Sequence, residues 1–177
     1  MSETQTVVLT PAEIVRLVRA STDAAAGEVR ALGDGARTRP APGEWSANEV
    51  LGHLIEADRR GFVGRARAAL DADRPMFQEW DQPAVAAARH DDERDPEELV
   101  REFLAAREDD LALVGSLDPA TFERAGIHPV VGELTVGNIL HEWVHHDREH
   151  VAQMYAISRA LVRPGMGNAR KFSDPTG

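Results

Sequence analysis

Cysteine is absent from the 177-residue chain, which excludes disulfides, thiolate metal ligands and a cysteine nucleophile. Any transition metal must therefore be held by imidazole, carboxylate or water. Lysine occurs once, at Lys171, and the arginines are scattered among acids. The formal charge is −10, and without clustered cations to meet phosphates the composition argues against a nucleic-acid partner. No window approaches the roughly 18 apolar residues that a membrane span needs. The opening stretch MSETQTVVLT has neither the basic start nor the long apolar core of a secretory signal, so a cytoplasmic location is expected. Strand signals are missing too: β-branched residues come in short pairs without sustained alternation. No internal repeat stands out.

Four long helices are present in the pattern. Thr10-Pro11-Ala12-Glu13 is a capping box with proline at the first helical position, opening a helix to about residue 32. Ser46-Ala47-Asn48-Glu49 opens a second, to about Asp71. Asp95-Pro96-Glu97-Glu98 caps a third, which runs to about Ser116 through Leu99, Phe103, Leu104, Leu111 and Val114. Thr135 caps the fourth, ending near Pro164-Gly165. Residues 72–94 have no clean period and are expected to form a long crossover with a short helix. Residues 118–134 should form one helical turn and then a loop. The expected fold is all-α: a four-helix bundle with one long crossover between helices two and three. A single domain over residues 1–163 and a mobile tail over 164–177 are expected.

Chemistry concentrates in HEWVHHDREHVAQM, residues 141–154, with four histidines in ten positions. Two pairings compete. His141, Glu142 and His145 spell H-E-x-x-H, a zinc-protease signature, whereas His146 and His150 form a second i, i+4 pair. With about 100° per residue and His150 at 0°, Val136, Ile139, Trp143, Met154, Ile157 and Leu161 fall within about 40° of it. His146 lies at about −40° on that stripe, while His141 and His145 lie at about 180° and 220° with Arg148, Ala152 and Arg159. The protease reading also lacks its partners: Arg148 and Val151 stand where the extended motif needs Gly and His, and no Glu follows Glu149. His141 and His145 are therefore expected to be solvated.

Two imidazoles one turn apart on an apolar face cost on the order of a few kcal/mol if left without partners, and a divalent cation would satisfy one nitrogen of each. The alternative is a pair of hydrogen-bonded core histidines. A third ligand must come from elsewhere. His53 lies opposite the stripe of Leu51, Leu54, Ile55 and Phe62, and periodicity alone leaves it a flank residue; His90 and His128 fall in loops. Glu142, Asp147 and Glu149 are possible helpers but read more simply as solvated acids. Trp80 and Arg89 on the crossover could line a pocket, and Glu56 and Asp58 could orient His53.

The segments PGEWSANEVLGHLIEADRR and RAGIHPVVGELTVGNILHEWVHHDREHVAQM together resemble the DinB-like superfamily of metal-binding bundles, and in particular the branch that contains bacillithiol transferases. The resemblance covers about residues 10–160. It implies a four-helix bundle, often dimeric, that binds a divalent metal such as nickel or zinc, with manganese or iron as further candidates. Position by position, it places metal ligands at His53, His146 and His150, with Gln153 following the pair and Trp45 and Ser46 at the helix entry. It further implies transfer of a low-molecular-weight thiol, such as bacillithiol or mycothiol, to an electrophilic substrate. A metal-dependent hydrolase using activated water and a non-enzymatic, stress-related metal-binding bundle are the competing readings. Both sides of helix two want burial, which a homodimer would explain.

Overall fold

The structure, a computed structural model, describes residues 8–173. Its secondary structure is mainly helical: α1 (Pro11–Leu32), α2 (Ala47–Arg60), α3 (Val63–Asp71), α4 (Gln82–Arg89), α5 (Pro96–Gly115), α6 (Val136–Val162) and the short α7 (Arg170–Ser173). The starts lie where the capping residues put them. Thr10 Oγ1 accepts from the Glu13 N–H while Glu13 accepts from the Thr10 N–H, and Ser46 and Glu49 repeat the exchange on α2. Asp95 accepts from the Glu98 N–H. On α6 the box is Thr135 with Asn138, whose side-chain oxygen accepts from the Thr135 N–H at 3.1 Å. Each cap satisfies donors that the first turn would otherwise leave unpaired.

Helices α1, α2, α5 and α6 form the four-helix bundle, with α1 and α2 each packed along both α5 and α6. The core divides into two apolar clusters. One joins Ile14 and Val18 to Leu111, Val114 and Trp143; the other joins Ala25 and Val29 to Leu51, Leu54, Leu99, Phe103 and Met154. The order in which each helix meets these clusters gives its direction. α1 and α6 run one way and α2 and α5 the other, so α2 and α5 are parallel. A long crossover is needed to connect parallel neighbours, and residues 72–94 supply it.

Two expectations are corrected. The second helix does not run unbroken to Asp71: it stops at Arg60, and α3 starts at Val63 after Gly61 and Phe62. Phe62 leaves helical geometry at φ −101, ψ −83 and turns its ring towards the α6 histidines. The stretch expected as a loop contains a hairpin instead, β1 (Ala125–His128) paired antiparallel with β2 (Gly132–Thr135). The crossover adds to it, because the Phe77 N–H donates to Ile127 O and the Ile127 N–H to Pro75 O. With only four residues per strand the hairpin offered too short a run for alternation to register.

Residues 163–173 form a 3-10 segment and α7, exposed on the surface; the rest of the expected tail, 174–177, and most of the opening stretch lie outside the described residues. Among the described residues no helix is long and apolar enough to cross a membrane.

Candidate metal centre

His53 sits in the middle of α2, and His146 and His150 one turn apart on α6. The packing of α2 on α6 brings the three rings together. His53 Nε2 lies 3.1 Å from His146 Nε2, which lies 3.2 Å from His150 Nε2. His53 is buried at 7% exposure and the other two are half-buried. Among the described residues this is the one group of His or acidic side chains with ligand atoms close enough to share a cation, all lying within 4.8 Å.

The cluster passes a simple test of fit. Imidazole nitrogens about 2.0–2.1 Å from a common cation stand roughly 2.9–3.4 Å from one another in tetrahedral or octahedral geometry, and the two separations to His146 Nε2 fall in that range. Gln153 fixes the direction of His150, because its side-chain oxygen accepts from His150 Nδ1 at 2.8 Å. That hydrogen bond puts the proton on Nδ1 and turns the Nε2 lone pair inward. His146 Nδ1 is buried with no partner. Burial, reinforced by His150, lowers His53 to a pKa of about 4. Burial, then His150 and His53, lowers His146 to about 3. Both rings are therefore neutral at pH 7, the form that ligates a metal.

Aromatic rings frame the cluster. Trp45 lies 5.2 Å from His53 between ring centroids, Trp80 stacks at 6.2 Å, and Phe62 lies 4.9 Å from His146. Trp80 comes from the crossover, which also packs α4 against α2. That explains why helix two wants burial on both sides. One side faces the bundle and the other lies under the crossover of the same chain, so its burial requires no second copy.

The H-E-x-x-H residues do not join the cluster. His145 and Glu142 are exposed, and His145 lies 3.8 Å from the exposed Glu149. His141 departs from the expectation of a solvated ring: its Nε2 accepts from the Leu9 N–H and its Nδ1 donates to Gly137 O. The chain entering α1 covers it, a contact no helical wheel contains. His90 is exposed at the left-handed end of α4, and His128 Nδ1 accepts from the hairpin turn.

The carboxylates proposed as helpers are engaged elsewhere. Glu56 pairs with Arg59, Arg60 and Arg89, and Arg89 also binds Asp91 and Glu102. This network anchors the end of α4 and, with Trp80, lines a small cavity against His53, so Trp80 and Arg89 do share a pocket wall as expected. Asp147 is not solvated, and Asp58 does not orient His53. Both are buried against Arg107, which reaches Asp58 through Nε at 2.6 Å and Asp147 through Nη1 at 2.6 Å. Trp143 Nε1 donates to Asp58 at 2.7 Å, and Thr22 completes the layer 3.4 Å from Arg107. Burial pushes Asp58 up to about 7 against the opposing pull of Arg107.

Arg107 and its role were missed, although a signal was available. It sits on the α5 row Leu99, Phe103, Arg107, Leu111, while Asp58 sits on the α2 stripe of Leu51, Leu54, Ile55 and Phe62. Two opposite charges on apolar faces of different helices suggest a buried pair.

The family model of the DinB superfamily matches residues 10–154. The chain belongs to the DinB superfamily. The uncharacterised protein YuaE of Bacillus subtilis is 31% identical over 138 residues, covering 71% of this chain and 84% of YuaE. YfiT, also of Bacillus subtilis, is 24% identical over 120 residues, 67% of each chain. The solved structure of YfiT, described as a probable metal-dependent hydrolase with an unusual four-helix bundle topology, superposes with a TM-score of 0.76 at 20% identity over 91% of this chain and 90% of YfiT. That likeness carries the bundle fold.

Proposed function

We propose that this DinB-superfamily protein is a divalent-metal-dependent thiol S-transferase. His53, His146 and His150 would hold the cation, and a low-molecular-weight thiol would be joined to an electrophilic carbon. Three imidazole ligands leave coordination positions for a nucleophile or substrate. A cation bound there supplies Lewis acidity, which lowers the pKa of a coordinated nucleophile and deprotonates a thiol outright. In the transfer the S–H proton leaves to solvent, the sulfur pair forms the S–C bond, and the electrophile releases its leaving group or takes the pair.

The observation that carries this reading is the convergent three-histidine cluster with no carboxylate among its candidate ligands. The buried acids beside it, Glu56, Asp91 and Asp147, are each held by arginine. A metal-activated thiol needs no separate general base, so the protein's part is to position. Gln153 orients His150, the Trp45, Trp80 and Phe62 rings exclude water, and the buried Arg107 layer fixes the mutual height of α2 and α6. Nickel or zinc suits an all-imidazole site, with manganese and iron as further candidates.

Hydrolysis, with water as the nucleophile, is the second reading, favoured by the description of YfiT. A single panel separates the two. Metal-loaded protein is assayed with bacillithiol, mycothiol, glutathione and coenzyme A against an electrophile such as monochlorobimane, and separately for ester and amide hydrolysis without thiol. Conjugation that needs both thiol and metal, and that His146→Ala abolishes, is the expected result. Hydrolysis without any thiol requirement would transfer the conclusion to the second reading.

A further inference from the structure

A cleft of about 400 Å³ opens beside the histidine cluster, lined by Arg59, Arg60 and Arg65 with Trp80 and Glu79. Trp80 is a shared wall, since its ring stacks on His53 at a centroid distance of 6.2 Å and carries the Arg60 guanidinium over it at 6.0 Å. Three arginines against one glutamate is an unusual lining in a chain of charge −10.

The arginines differ in how far they are satisfied. Arg59 and Arg60 are tied to Glu56 at 3.1 and 2.7 Å and half-exposed. Among the described residues Arg65 has no carboxylate partner: its Nη2 reaches only the Gln78 carbonyl at 3.4 Å, and its buried Nε has no acceptor at all. Burial pulls its pKa below the usual value, opposed by the charge of Glu79. A half-buried guanidinium with no carboxylate partner is short of an anion, and the terminal nitrogens of its planar fork fit a carboxylate or phosphate with two parallel hydrogen bonds.

We infer that this cleft holds the anionic end of the substrate: Arg65 binds a carboxylate or phosphate, and a flat apolar body lies along Trp80 towards the three histidines. The substrate class is thus a small organic anion with a flat apolar body between its charge and its reactive centre. This inference rests on the metal-centre reading for the placement of the reactive end, but the anion subsite itself can be tested without metal.

Calorimetric titration uses benzoate, phenyl phosphate and the neutral benzamide as probes, on metal-loaded protein and on His146→Ala. Binding of at least one anion about tenfold tighter than benzamide is expected from one charge-assisted, bidentate contact. Arg65→Gln should weaken that anion about tenfold, and Arg65→Lys, which keeps the charge but loses the fork, by less. The tighter of the two anions tells a carboxylate substrate from a phosphate monoester. His146→Ala should retain the anion within about threefold. If the anion binds but no metal does, the subsite stands and the metal reading falls. The inference is overturned if benzamide binds as well as both anions, if Arg65→Gln changes nothing, or if His146→Ala abolishes anion binding, which would put the anion on the cation instead. The comparison with benzamide needs only the wild-type protein, so it holds even if the Arg65 variants fold poorly.

Discussion

Removing the Arg107 guanidinium should be the most damaging single change outside the histidine cluster. Arg107 lies between Asp58 and Asp147 at 1% exposure, donates to both at 2.6 Å, and stacks on Phe103 and Trp143 at 4.8 and 5.0 Å. Arg107→Met keeps most of the volume and the packing on those rings but leaves two buried carboxylates without their cation. Breaking a buried ion pair from one side costs about 3–5 kcal/mol. At roughly 2–4 °C per kcal/mol for a chain of this size, the melting temperature should fall by about 6–20 °C. The loss should also depend on pH. Burial already holds Asp58 near pKa 7 in the folded protein, above its unfolded value of 3.8, so its stabilising contribution is complete below pH 3.8 and is lost as pH rises through 7. Without Arg107 only the Trp143 hydrogen bond opposes burial, and the window extends further upward. Denaturant unfolding followed by tryptophan fluorescence and circular dichroism at pH 5.5 and 8.5 measures both effects, with the larger penalty expected at pH 8.5. Replacing the whole layer, as Asp58→Asn, Arg107→Met, Asp147→Asn, should recover part of the stability because no bare charge remains. A single Arg107→Met variant within about 1 kcal/mol of wild type at both pH values would refute this account of the layer.

Substituting His53, His146 or His150 by alanine should remove bound metal, read as equivalents of nickel, zinc, manganese or iron in untagged protein, whereas His145→Ala should leave it unchanged. Metal-free protein should lose stability on acidification. His53 and His146 titrate near 4 and 3 when folded against 6.5 when unfolded, so their neutral forms favour the native state above pH 6.5 and this is lost as pH falls towards 4. Melting curves from pH 7.5 to 4.5 test the sign; a midpoint rising with acid would contradict it, although Asp58 acts in the opposite sense over part of the range. Gly52→Ala should loosen the crossover, because a Cβ there would collide with the Asp91 carboxylate and press on Arg89 Nε. Faster proteolytic cleavage within residues 78–92, with the bundle's helical signal intact, is the expected outcome.

The sequence by itself determined the four bundle helices and their starts, because a cap is a local device: Thr10, Ser46, Asp95 and Thr135 each satisfy an N–H three residues on. The α6 wheel likewise chose His146 and His150 over His141 and His145, since the α6 stripe faces the core along its length. Only the tertiary structure decided what depends on a neighbour from elsewhere in the chain. The wheel had no term for the crossover that covers His53, the incoming Leu9 N–H that binds His141, or the Arg107 that turns Asp58 and Asp147 from presumed surface or orienting acids into a buried layer. Periodicity records that a helix face is covered, and the covering partner is fixed only when distant segments pack, because burial and electrostatics are properties of the assembled surroundings. The cluster of three Nε2 atoms belongs to that second kind. α2 and α6 each contribute ordinary-looking histidines, and their convergence within hydrogen-bond distance arises from the packing of the two helices against each other.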